Sequence, residues 1–418
     1  MALYSDTMIP FRKTDTVPDN VPAERIFNWD VFVHGSSDGD YAASRLELRG
    51  PDIPEMFWTP FNGGHWVATR ADNIDVVVNN SALFGYEFTR VPKEMNGKPP
   101  FLPLQVDPPH HTKYRNLLMS AFSPNALKRL ASKARELTID LIEGFVADGH
   151  CDFVHQYARV MPIGVFMSIV DYPMSDRLRL IGIVEKMLRG KSAEERFEGY
   201  GLATAYLRER IAEREANPRD DLISQLVQAE KDGVLVRQEV ESMMTLLLTA
   251  GIDTVASMFS NFARFLALNP GHRQQLIDDP SLIPGAVEEL LRRFAIVTIT
   301  RLAMTDVEMG GVTVKAGDLV VCPAPLRNLD EDRIADPLTV DFRRKPSPNA
   351  TFGGADHRCM GSMLARTELR IFLEEWLKRI PDFAIAPGAE VVATADITSI
   401  IPSLPLVWPS PSAAGRAA

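Results

Sequence analysis

The stretch Met243–Ala267, MMTLLLTAGIDTVASMFSNFARFLA, constrains the fold more than any other. It lies in a helical pattern that runs without proline over 237–268. A helix of that length is as long as a small domain is wide. Asp253, Asn261 and Arg264 interrupt its apolar surface, so it reads as a buried core helix and not as a membrane span. Gly251 in its middle costs about 1 kcal/mol of helix propensity against alanine and needs a reason. Asp253 and Thr254 follow at once. An acid in such a helix is costly unless it pairs or serves water, whereas a threonine can bond back to the helix.

Further helical patterns cover 125–147, 155–169, 174–188, 192–214, 218–229 and 282–294. Pro108 and Pro109 predict a helix start, which places His111 and Arg115 on one face. MLARTELRIFLEEWLKRI is a strongly amphipathic helix ended by Pro381. Strand signals are short. HWVATRADNIDVVVNN alternates and then turns helical, and VEMGGVTVKAGDLVVC reads as a hairpin around Gly310–Gly311. AEVVATA and LPLVW look extended. The expected fold class is therefore mainly α with small β-sheets. Residues 1–25 are expected to form an irregular arm, 26–408 a single domain, and 409–418 a flexible tail.

Charge and cysteine usage narrow the function. With 45 Lys and Arg against 55 Asp and Glu, the formal charge is -10, which argues against a nucleic-acid partner. The three cysteines, Cys151, Cys322 and Cys359, form neither a disulfide framework nor a four-ligand zinc pattern, and a reducing cytoplasm is expected. The first twenty residues lack the apolar segment of a secretory signal, and no membrane association is expected.

Cys359 sits in an unusual context, TFGGADHRCMG, just before a helix. Glycines ahead of it allow close backbone approach and uncommon dihedrals. The N–H groups of the following helix point back toward the sulfur and favour its anion. Gly361 lets something flat pass close to the helix start. Cys359 reads as a buried structural cysteine, an activated nucleophile or a metal ligand; a single thiolate on a metal needs its other ligands elsewhere, no local residue supplies them, and a planar macrocycle would. Three further motifs lie at a distance. Glu289 and Arg292 in EELLRRF are three apart on one helical face, with Glu288 and Arg293 as a rival pairing. TAGIDT holds Gly251, Asp253 and Thr254, and HHTKYR holds His111 and Arg115.

FGGADHRCMG resembles the haem-binding loop of the cytochrome P450 family, F-x-x-G-x-x-x-C-x-G. Phe352, Cys359 and Gly361 match, while Ala355 stands at the second pattern position in place of glycine. The resemblance implies the P450 fold: a triangular helical prism with haem b between the long central helix and the cysteine loop. It makes Cys359 the axial thiolate of the haem iron, which helps cleave the O–O bond. Glu289 and Arg292 match the family's E-x-x-R brace. Ala250, Gly251, Asp253 and Thr254 match its oxygen-activating segment, with Gly251 opening a groove, Thr254 hydrogen-bonding and Asp253 relaying protons. His111, Arg115, Arg301 and His357 match partners of the haem propionates.

NGGHWVATR, HRQQLIDDP, EWLKRIPDF, IAPGA and LPLVW extend the resemblance to the soluble bacterial camphor hydroxylase subfamily. That subfamily implies a cytoplasmic monomer. It inserts one oxygen atom from O2 into a C–H bond, with electrons from an acidic [2Fe–2S] ferredoxin and a NADH-dependent flavoprotein reductase. The ferredoxin docks on the cysteine side, where Arg115 offers local positive charge. A peroxide-using haem-thiolate enzyme and a non-catalytic haem carrier or sensor are the alternatives. Aligned on Asp107-Pro108-Pro109, the tyrosine that holds camphor falls on Pro99, a nearby phenylalanine on Arg90, and a propionate-side aspartate on Ile299. A substrate other than camphor is expected. Phe101, Leu246, Thr249, Val297, Ile397 and Thr398 form the expected pocket wall, suited to a compact hydrophobic molecule; relatives point to terpenoid or norisoprenoid ketones.

Overall fold

The structure is a computed structural model that describes residues 13–33, 35–96, 100–189, 192–395 and 397–409. Its axis is the helix that dominates the sequence, Arg237–Leu268. The Glu239 carboxylate accepts from the Val236 N–H (2.9 Å) at its start, and it ends one residue before Asn269-Pro270. By length and apolarity this helix also qualifies as a membrane span. Residues 255–267, however, are buried without a break, which is the pattern of a helix packed all round by protein.

Numbered along the chain, the helices among the described residues are α1 (Tyr41–Ser44), α2 (Ala71–Asn79), α3 (His110–Met119), α4 (Pro124–Glu143), α5 (Val160–Ile169), α6 (Arg177–Arg189), α7 (Ala193–Ala216), α8 (Leu222–Lys231), α9 (Arg237–Leu268), α10 (Pro270–Asp278), α11 (Ile283–Arg293), α12 (Ala324–Asn328) and α13 (Ser362–Arg379). Most of the predicted helices are present, with local corrections. The run predicted over 125–147 stops at Glu143, and a 3-10 turn, Val146–Asp148, follows. The one predicted over 155–169 opens with a π turn, Val154–Ala158, before α5. The one predicted from 218 starts at Leu222, because the Asp221 carboxylate accepts from the Ser224 N–H (2.7 Å) and caps it there.

Among the described residues, three small sheets complete the architecture. One has the order β1 (Met56–Thr59), β2 (His65–Ala68), β8 (Leu319–Pro323), β5 (Thr298–Ala303), β3 (Phe84–Gly85), with β2 and β8 parallel and the other pairs antiparallel. A second joins β4 (His150–Asp152), β10 (Pro405–Val407) and β9 (Ala384–Ile385). The third is the predicted hairpin, β6 (Val307–Met309) and β7 (Val312–Val314), turning at Gly310–Gly311. LPLVW supplies β10, whereas AEVVATA makes only an isolated bridge, Ser36 to Ala393. In the expected N-terminal arm, residues 13–25 hold one 3-10 turn, Ala23–Arg25. Of the expected tail, residues 410–418 lie outside the described residues, as does Pro99.

Among the described residues the apolar core has three large parts. One part gathers α4, α5, α11, α13 and the C-terminal half of α9; a second gathers α5 to α8 and the N-terminal half of α9; a third lies on the five-stranded sheet. The central helix thus serves two cores. Its midpoint, around Ala250–Gly251, falls between them.

Candidate active site

Ala250 and Gly251 are exposed in the middle of the longest buried helix. A Cβ built on Gly251 meets no atom within 4 Å, so the helix borders open space there. Thr254, half-buried, donates its hydroxyl to the Ala250 carbonyl (2.8 Å), which leaves the lone pairs of its oxygen free to accept. Asp253 is half-buried beside it. Leu246, Thr249, Ala250, Asp253 and Thr254 follow helical spacing and share one face of α9.

The cysteine loop is shaped by left-handed residues. Gly353 has φ 66°, and Ala355 has φ 46°. The alanine at the departed pattern position adopts the left-handed conformation that glycine favours, at a cost in backbone strain. Gly354 packs close to the end of α2: a Cβ there would lie 2.0 Å from Asn79 Oδ1, the tip of an exposed side chain that would have to turn away. The Cys359 N–H donates to the Phe352 carbonyl (2.9 Å) and fixes the turn. Arg366 stacks over the Phe352 ring at 4.5 Å.

Cys359 lies deep among protein atoms, yet its side chain is exposed. Both are true of a residue that lines an internal cleft. Burial pushes its thiol up from the ordinary range; hydrogen bonds from the Gly361 and Ser362 N–H groups, and the charges of Arg115 and Arg366, pull it back. Burial outweighs them, so the free thiol keeps its proton, and a bound cation would have to take that proton's place.

A cluster of nitrogen donors around Asp107 stands near the loop. Arg301 is buried, with its guanidinium 3.1 Å from the Tyr86 ring centroid and no hydrogen bond on Nε. Tyr86 stacks on His357 at 3.4 Å, and His111 lies 4.2 Å from His357. Asp107 holds the group together: its Oδ1 is 3.3 Å from His357 Nε2, and its Oδ2 accepts from the Tyr86 N–H (3.0 Å). Burial depresses His111 to about 4 and also lowers His357, against the pull of Asp107. Arg115 borders the cysteine loop. Its Nη2 donates to the Arg358 carbonyl (2.8 Å), on the loop immediately before Cys359. Tyr86 and Asp107 join the cluster without having been singled out by sequence. The available signal for Asp107 was its spacing four residues before His111, whose N–H donates to the Asp107 carbonyl (3.0 Å).

The paired motif in α11 forms as predicted in geometry. Arg292 Nε and Nη2 donate to the two Glu289 carboxylate oxygens at 2.9 and 2.8 Å, and both residues are buried. Glu289 also accepts from Arg344 Nε (3.0 Å) and the Asp341 N–H (3.1 Å), while Arg292 Nη1 donates to the Pro337 carbonyl (2.8 Å). The rival pairing does not occur: Glu288 binds Arg366, and Arg293 binds Asp40.

The expected pocket residues come from four segments. Val297 precedes β5, and it bridges Thr398. The Thr298 N–H donates to the Ile397 carbonyl (2.7 Å). The Phe101 loop is tied to α9, because Ser242 Oγ donates to the Pro100 carbonyl and accepts from the Leu102 N–H (3.0 Å). Leu246 is one turn further along α9 from Ser242. Ile299, where the subfamily has an acid, is buried on β5.

This donor set fits a flat iron macrocycle with two carboxylate arms: one exposed thiol at depth, a helix opened by glycine, and a buried guanidinium with an unbonded Nε. Comparison with known proteins agrees. The Cytochrome P450 family profile matches residues 279–381. The chain is 32% identical over 406 residues to the probable cytochrome P450 127A1 of Sinorhizobium fredii, covering 95% of this chain and 98% of the relative. It is 32% identical to the mycinamicin IV hydroxylase/epoxidase of Micromonospora griseorubida, over 87% and 94% of the two chains. The crystal structures of CYP101J2 and CYP101C1, of the camphor hydroxylase family, superpose with TM-scores of 0.85 and 0.86 at 35% and 34% identity; each covers 94% of this chain and 99% or 100% of its own. Likeness at this level, over nearly the whole of each chain, places the protein in the cytochrome P450 family, as a haem-thiolate monooxygenase.

Proposed function

We propose that the chain hydroxylates a compact, largely apolar substrate of the terpenoid or norisoprenoid class, with electrons from an acidic [2Fe–2S] ferredoxin reduced by a NADH-dependent flavoprotein reductase. The overall reaction takes one substrate C–H bond, O2, two electrons and two protons, and gives one alcohol and one water. Bound haem supplies the oxygen chemistry. The protein's part is ligation, shape and protons.

Cys359 would hold the iron, with the Gly361 and Ser362 N–H groups steadying its charge. Arg301, His111 and His357 would face the carboxylate arms, and Arg115 would grip both the loop and that side of the haem. Ala250 and Gly251 would form the roof on the oxygen side. Thr254 would accept a hydrogen bond there, and Asp253 would carry protons in from solvent. Phe101, Leu246, Thr249, Val297, Ile397 and Thr398 would exclude water around the substrate. Arg115 and Arg358, together on the cysteine side of a chain of formal charge -10, offer a local positive surface to an acidic partner.

The observation that carries this reading is the roof of α9. Space opens at Gly251 beside a threonine whose oxygen is turned to accept, and O2 activation needs both. Reconstitution tests it. The haem-loaded protein with NADH, reductase and ferredoxin should form alcohol from terpenoid ketones, and its reduced carbonyl complex should show the red-shifted band of a thiolate ligand. Turnover with peroxide alone would favour the peroxide-using alternative. Bound haem with no product from any electron source would favour a carrier or sensor.

A further inference from the structure

We infer that the Thr398 hydroxyl is the polar anchor of the substrate, and that the substrate carries a hydrogen-bond acceptor such as a ketone. The inference rests on the pocket reading above and adds to it. Three observations carry it.

The first is strand parity. Side chains alternate along a strand, so Val297, Ile299 and Arg301 share one face of β5 and its N-terminal extension. Arg301 reaches the cluster of Tyr86 and His357, two residues before Cys359, so this face looks into the cleft. Thr298 and Thr300 face the other way, and the Thr298 hydroxyl lies 3.0 Å from Tyr41 Oη.

The second is register. Thr398 stands opposite Val297 in an antiparallel bridge, flanked by hydrogen bonds from the Thr298 N–H to the Ile397 carbonyl (2.7 Å) and from the Ser399 N–H to the Ile296 carbonyl (2.9 Å). Val297 and Thr398 are thus a non-hydrogen-bonded pair, the kind whose side chains stand closest and on the same face. Thr398 therefore looks into the cleft beside Val297.

The third is an account of protons. The Thr249 hydroxyl donates to the Thr245 carbonyl (3.0 Å), Thr254 to Ala250 (2.8 Å), and Ser242 to Pro100 (2.5 Å). The Gln105 amide donates to the Glu87 carbonyl (3.1 Å) and accepts from the Phe101 N–H (2.9 Å). Among the described residues the half-buried Thr398 hydroxyl makes no hydrogen bond. A donor held in an apolar wall and left unbonded rejects a ligand that cannot pair with it.

The test measures dissociation constants from the spectral shift on ligand binding to the haem-loaded protein. The probes are cyclic terpenoid ketones, camphor and β-ionone among them, each beside the hydrocarbon that lacks its oxygen. The wild type should prefer the ketones by about tenfold, within the range of one hydrogen bond. Thr398→Val should remove that preference by loosening the ketones alone, and Thr398→Ser should restore it. An unchanged preference in Thr398→Val overturns the proposal, as does its loss in Arg90→Leu instead. Equal binding of ketones and hydrocarbons by the wild type overturns the anchor and leaves the apolar pocket standing. No shift with either set overturns both.

Discussion

Thr254 spends its hydroxyl proton on the carbonyl of Ala250, one turn back along α9, at 2.8 Å. Its oxygen then meets the cleft as an acceptor. Thr254→Ala removes that acceptor and leaves the backbone in place, since an alanine suits a helix better than a threonine. The expected result is lower product yield per NADH consumed, with Thr254→Ser close to wild type. Equal yield in wild type and Thr254→Ala would show that the threonine has no part in coupling.

Glu289 and Arg292 should be costly to separate. Each is buried, and Glu289 serves Arg344 and the Asp341 N–H as well. Removing one partner of a buried pair leaves the other uncompensated, which costs about 3–5 kcal/mol. Arg292→Ala should lower the denaturation midpoint accordingly. Glu136→Gln, which breaks the exposed contact with Lys133, should change stability by about 0–1 kcal/mol. Similar losses in the two variants would refute the distinction.

Ala355 invites a stabilising change. Its φ of 46° lies in the left-handed region, where an L-residue pays about 1–2 kcal/mol. Glycine removes that strain but adds about 0.4–1 kcal/mol of unfolded-chain entropy. Ala355→Gly should therefore stabilise by roughly 0.5–1 kcal/mol, read as a small rise in Tm. A fall in Tm would mean that the alanine methyl has a packing role that outweighs its strain.

Two buried groups should give the stability opposite slopes with pH. Burial holds His65 at about 3, below its ordinary 6.5. The unfolded chain binds that proton first, so stability falls as pH drops from 6.5 toward 3. Burial pushes Glu368 up to about 8, from an ordinary 4.5. Here the unfolded chain releases its proton first, and stability falls as pH rises from 4.5 toward 8. Glu368→Gln should remove the second slope and stabilise the protein at pH 8 by roughly 3–5 kcal/mol. Urea midpoints across that range check it; parallel curves for both proteins would contradict the assignment.

What sequence revealed of this molecule was local. The span of α9 could be read because its pattern runs without proline over 237–268, whereas spacing left Glu289–Arg292 and Glu288–Arg293 open and the family resemblance chose the first. The pairing of β2 with β8 had no such signal: strands far apart in sequence meet only when the intervening chain has folded. The two-residue strand β3 is too short to carry a period. The grip of Arg115 on the Arg358 carbonyl and the place of Tyr86 between Arg301 and His357 likewise depend on tertiary approach. Ala355 is the instructive case. Its departure from the glycine pattern could be read, but not that the backbone there takes a left-handed φ of 46°.

Gly251 has one more consequence. A methyl group there would meet nothing within 4 Å, and alanine would strengthen the helix by about 0.5–1 kcal/mol. Selection for a sturdier protein alone would make that exchange readily, and nothing in the packing would resist it. The residue is thus a point where volume is weighed against robustness, and where, on the function proposed above, the easiest gain in thermostability would cost the open space beside Thr254.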